Sequence, residues 1–154
     1  MGVITQPETV FSMLGDLDRR IRDLESNSNI AMRRLAGAAG SDTVVTGDRQ
    51  SVLSVSFTLI RPTTILGLAF IQSTSTQNDA GHLNAPANVF LSCNGSDSIA
   101  LLATLATPGG TLYHLVEHLP PGTYTMAILG STADAFNHLT VYAPFRLDVF
   151  GLGG

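Results

Sequence analysis

From Thr43 onward, apolar residues recur at every second position in short runs split by turn formers. A period of two is that of a pleated strand with one face buried, and it rules out helical packing for most of the chain. The first run, "SVLSVSFTLI" at 51–60, sets Val52, Ser54, Ser56, Thr58 and Ile60 on one face and Leu53, Val55, Phe57 and Leu59 on the other. Arg61-Pro62 ends it, because proline cannot donate to a ladder. "TILGLAFIQ" (64–72), "NVFLSC" (88–93), "SIALLATL" (98–105), "LYHLVEHL" (112–119), "TYTMAILG" (123–130) and "LTVYAPFRLDVF" (139–150) follow, separated by "TPGG", "PPG" and polar stretches. Seven or eight short strands with turns between them predict an antiparallel, jelly-roll-like β-sandwich over 43–154. "HLPPGTYTMAIL" is a turn-to-strand element of such folds, with Pro121-Gly122 making the turn.

The front of the chain has a different period. Thr5 to Glu8, "TQPE", fits a capping box with Pro7 in the first turn. Val10, Leu14, Leu17, Ile21 and Leu24 then alternate at spacings of four and three, a two-heptad seam with Leu14 and Ile21 at a and the others at d. A lone helix of this length is marginal in water with its stripe exposed, so it must fold back onto the sandwich or pack against its own copies, and its narrow stripe suits a coiled coil better. Arg20 at g and Glu25 at the following e position meet across a parallel interface. "RIRDLE", Arg20 to Glu25, resembles the Arg-h-x-x-h-Glu signature of short trimeric coiled coils, which implies a homotrimer joined by this helix. The expected organisation is a coiled-coil helix over 1–27, a neck or linker over 28–42, and the sandwich.

Charge marks the same boundary. Residues 1–40 hold five Arg and five acids, whereas 41–154 hold three Arg and seven acids, for a net charge of −4. There is no lysine. Nucleic acid is an unsuitable partner, since phosphate binding requires clustered positive charge. No apolar run approaches the roughly 20 residues that cross a bilayer, so no membrane insertion is expected. The opening residues lack the pattern of a secretion signal. Edge strands with so few charges invite pairing unless an assembly covers them.

Few residues point to chemistry. Cys93 is the only cysteine, which excludes an internal disulfide and favours a buried thiol. His114 and His118, four apart on one strand, would face the same side, with Glu117 on the other; without a third ligand no metal is expected. Ser, His and Asp occur, but without a nucleophile elbow, a phosphate-cradling loop or an HExxH motif, so no cofactor and no enzymatic activity are expected. "NGS" at 94–96 matches a glycosylation sequon and is read as a polar turn. The longest polar stretch, 73–88, carries Gln77, Asn78, Asp79, His82 and Asn84, whose side chains suit sugar hydroxyls; it is the candidate ligand loop.

Taken whole, "DLDRRIRDLE", "RRLAGAAGS" and the closing "PFRLDVFGLGG" resemble the short minor tail or fibre-type virion proteins of actinobacterial tailed phages and prophages. The resemblance implies a non-enzymatic virion component, assembled in the host cytoplasm, whose partners are its own copies, other virion proteins and a host cell-surface glycan. A capsid decoration or head fibre protein, and a carbohydrate-binding (lectin-like) module, are the alternatives.

Overall fold

The computed structural model describes residues 15–19, 32–79, 85–105 and 107–153. It divides into two compact units, Met1–Ala31 with Gly153–Gly154, and Met32–Leu152. In the first, 15–19 is helical, with Arg19 paired to Asp16 one turn earlier and Leu17 54% exposed. The other seam residues, Val10, Leu14, Arg20, Ile21, Leu24 and Glu25, lie outside the described residues.

The second unit is a sandwich of two antiparallel sheets built from β1 (Arg33–Gly40), β2 (Thr43–Val45), β3 (Gln50–Leu59), β4 (Thr63–Asn78), β5 (Ala87–Cys93), β6 (Ser96–Asp97), β7 (Leu101–Ala103), β8 (Thr107–Leu119), β9 (Gly122–Ser131) and β10 (Asn137–Leu152). Sheet A runs β1-β10-β4-β8, with β2 continuing the line of β1 along β10. Sheet B runs β3-β9-β5, and β6 and β7 share the far side of β5. From β3 to β5, and again from β7 to β10, each connection crosses from one sheet to the other, which gives the strand order of a jelly roll.

Alternation explains the core. Val55, Phe57 and Leu59 of β3, Val89, Leu91 and Cys93 of β5, and Met126 and Ile128 of β9 meet Ile65, Ala69 and Ile71 of β4 and Leu139, Val141, Phe145, Leu147 and Val149 of β10. The Cys93 thiol is buried and free, and burial pushes its pKa up. Val52 departs from the sequence pattern: a register shift between Ser51 and Leu53 turns it into the core, so it joins Val55 rather than Ser54.

Several boundaries need correction. The neck expected over 28–42 contributes β1, whose residues 33–40 pair with β10 from Gly151 back to Phe145. Its small residues allow close packing rather than flexibility: a Cβ on Gly40 would strike the Phe145 ring, and one on Gly37 the Arg34 and Asp148 side chains. "TPGG", read as a separator, is the first part of β8; Gly109 lies so close to the Ile71 carbonyl that no side chain fits there. The stretch 98–105 is not one strand. Ser98 closes on β5 instead: its N–H donates to Leu91 O (2.8 Å), and its hydroxyl accepts from Leu91 N–H (2.9 Å) and donates to Ile99 O (3.0 Å). A side chain that satisfies local backbone groups in this way takes them out of the ladder.

Candidate functional site

The polar stretch singled out in the sequence is partly strand. Gln77 and Asn78 end β4, opposite His138 and Asn137 of β10, because Thr74 and Thr76 bury their side chains and extend the ladder past Gln72. Asp79 follows, its N–H donating to Phe136 O (2.9 Å) and its carboxylate 3.0 Å from His138 Nε2. Asn137 is buried; it donates to Asp134 Oδ1 (2.9 Å) and accepts from Ala85 N–H (2.9 Å), which braces the turn before β10. His82 and Asn84 lie outside the described residues. Of the three candidates described here, Asp79 spends its carboxylate on His138.

A cleft opens elsewhere, at the side of the sandwich where β8 ends sheet A and the 97–101 segment flanks sheet B. Its volume is about 470 Å³, and Asp97 to Leu101 face Thr111 to Leu115 across it. Strand alternation places the chemistry. Tyr113 and Leu115 point out of sheet A, whereas His114 points in. Tyr113 is 65% exposed, and Ile99, on the segment pinned by Ser98, is 85% exposed. His114 is 8% exposed, and its Nε2 is buried without a hydrogen-bond partner among the described residues. An unpaired buried polar atom costs about 1–3 kcal/mol, so its position beside a cleft calls for a reason.

Asp97 supplies the charge. Arg49 grips it with two hydrogen bonds, Nη1 to Oδ2 at 2.7 Å and Nη2 to Oδ1 at 3.0 Å. These bonds, with another from Ser92, hold the Asp97 carboxyl down at about 2. The same contact pushes the Arg49 pKa up. Arg49 itself adopts φ 52° in the turn before β3 and lies 5.2 Å from the centre of the Phe90 ring. One arginine thus covers an outward-facing aromatic residue and fixes an acid at the cleft. Neither Asp97 nor Tyr113 stood out in the sequence; the alternation of "TLYHL" carried the signal, since it sets an aromatic residue outward beside an inward histidine.

Other sequence expectations meet different outcomes. His114 and His118 do not form a two-ligand array: the β4–β8 register shifts after Val116, His118 takes φ 52°, and it is exposed while His114 is buried. Among the described residues no group of three or more His, Cys, Asp or Glu is placed to hold a metal. Asn94-Gly95 is a tight turn between β5 and β6 with φ 46° and 91°, the conformation for which Asn-Gly is favoured.

The sequence matches no family model and no curated protein. Among solved structures it is similar to the C-terminal domain of EclA, a sugar-binding protein, at 16% identity and a TM-score of 0.45, over 75% of this chain and 81% of that one. It is also similar to the CBM36-1 domain of a multidomain xylanase from the hindgut metagenome of Trinervitermes trinervoides, at 14% identity and a TM-score of 0.36, over 80% and 91%. Dimeric latent PorU from Porphyromonas gingivalis follows at 12% identity and 0.42, with 79% of this chain against 13% of that one.

Proposed function

We propose that the sandwich is a non-catalytic carbohydrate-binding module whose ligand occupies the cleft between 97–101 and β8. The observation that supports this is the company His114 keeps. His114, whose buried Nε2 has no hydrogen-bond partner among the described residues, lines an open cleft together with Thr111, the exposed Tyr113 and the firmly ionised Asp97. A sugar is amphipathic, with an apolar C–H face and a hydroxyl rim, and it needs a flat apolar surface together with a few fixed donors and acceptors. Concave sites lined by apolar groups and a few placed polar ones are the general form of such sites. Because Arg49 neutralises Asp97, the cleft suits hydroxyls rather than a free cation.

The test is calorimetric titration with a panel of neutral, N-acetylated and uronate oligosaccharides, and with solubilised cell-wall glycan. Saturable binding by one class is expected, and Tyr113→Ala or His114→Ala should weaken it by about tenfold, which is 1.4 kcal/mol. Absence of saturation with every probe would end this reading. A structural part of a phage particle, at its tail, fibre or head surface, is the second reading. What favours it is the exposure of large apolar side chains on sheet A, Phe70 and Leu115 among them, which suits a module built into an assembly; imaging of the intact particle would locate it there or not.

A further inference from the structure

Where β3 and β9 pair over 56–58 and 123–125, sheet B turns a hydroxyl ladder outward. Ser56 and Thr125 lie 3.2 Å apart, as do Thr58 and Thr123. Sheet A is different. Register sets Phe70 beside Thr111 and Arg146, Leu68 beside Tyr113 and Asp148, and Leu66 beside Leu115 and Phe150. Three adjacent strands therefore carry Leu66, Leu68, Phe70, Tyr113, Leu115 and Phe150 outward as one apolar field, with Phe70 57% and Leu115 47% exposed. Single exposed apolar residues are ordinary, but a contiguous field marks an interaction surface. β8 borders it as a sheet edge, and it carries no charge between Thr107 and Val116 to discourage pairing.

We infer that the outer face of sheet A is an interface with a second copy of this chain. The charges within the field argue for that occupant. Asp148 accepts from Arg34 Nε at 2.7 Å and from Arg146 Nε and Nη2, so one acid and one base stand two residues apart on the same face of β10. A two-fold axis lying in the face and crossing β10 at Leu147 sets Arg146 of each copy over the partner's Asp148, twice. By the same operation Phe70 meets the partner's Leu68, because register holds these residues level with Arg146 and Asp148. A two-fold interface must complement itself, and this row does. A partner of a single charge sign would meet like charge somewhere along it.

The area is sufficient. Strands about 4.8 Å apart that rise about 3.3 Å per residue make a four-stranded face, along β4 and β10, of roughly 700–900 Å², close to the ~800 Å² per partner of a standard interface. Tyr113 and Leu115 belong both to this face and to the cleft, so the second copy would wall one side of the cleft. The inference does not depend on what that cleft binds.

The test is light scattering of the full chain at concentrations up to about 100 μM, the Kd range of a weak interface. Wild type should give about twice 16.2 kDa, and the double substitution Phe70→Glu, Leu115→Glu should halve that mass. Thr58→Glu with Thr125→Glu, on the hydroxyl face, should leave it unchanged. Hydrogen exchange on unmodified protein gives a second reading that needs no variant: 66–70 and 111–115 should gain protection as concentration rises. A wild-type mass of one chain, a larger mass that persists in the Phe70 and Leu115 variant as it would if the opening helix alone held the chains, or equal dissociation by the control would each overturn the inference.

Discussion

Asp97 shows how one side chain serves both the frame and the cleft. Its folded pKa of about 2 lies below the ~3.9 of an unfolded aspartate. Folding therefore favours the ionised form, and the stabilisation is complete above pH about 4 and lost as pH falls through about 2. The Arg49–Asp97 pair is partly open to water, with side chains 44% and 33% exposed, so screening keeps its worth small. Asp97→Asn should lower the thermal midpoint slightly at pH 7, and the gap between the two proteins should close between pH 4 and pH 2. A gap that stays constant over that range would mean that the carboxylate charge contributes nothing. Tyr124 offers a cleaner single bond. Its hydroxyl donates to Pro120 O at 2.8 Å across the turn from β8 to β9, while its ring stacks on Phe57 at 5.9 Å. The arrangement is like the tyrosine corner of Greek-key sandwiches. Tyr124→Phe keeps the stacking and removes the bond, and should cost about 0.5–1.5 kcal/mol in denaturant titration. No loss would show that the corner is fixed by Pro120-Pro121 alone.

At the scale of elements, the period-two runs were legible because burial on one face writes itself into every second residue. β3, β5, β9 and β10 lie within two or three residues of where alternation put them. What the sequence hid were elements whose signal is not hydrophobic. β1 is small residues behind two arginines, and its outward contacts are an ion pair with a residue more than a hundred positions away, so no local window contains the reason for it. The end of β4 alternates between serine and threonine, and polarity disguised a strand whose inward threonines are buried. Ser98 broke an apolar run through two hydrogen bonds with Leu91, which hydropathy cannot register. The cleft was invisible for a related reason: it exists only where the 97–101 segment, so displaced, stands away from the edge of β8.

Across the whole molecule the two sheets have unequal outer surfaces, and that inequality has a thermodynamic consequence. A fold whose apolar face is covered by a second copy unfolds to two chains, so its stability contains a concentration term. Each tenfold rise in concentration adds about 1.4 kcal/mol per pair, or about 0.7 kcal/mol per chain. For a domain of about 150 residues, 1 kcal/mol moves the midpoint by roughly 2–4 °C, so a tenfold rise should raise it by about 2 °C. Phe70→Glu with Leu115→Glu should abolish the dependence. It should not unfold the chain, because both side chains point away from the core that Phe145, Leu147 and Met126 fill. The hydroxyl-face pair Thr58→Glu and Thr125→Glu changes net charge by the same amount on the other side. If charge alone mattered, both pairs would flatten the curve equally; if the face matters, only the first will. Identical midpoints for wild type at 5 and 50 times a common dilution would leave the apolar face of sheet A without the self-association argued for it.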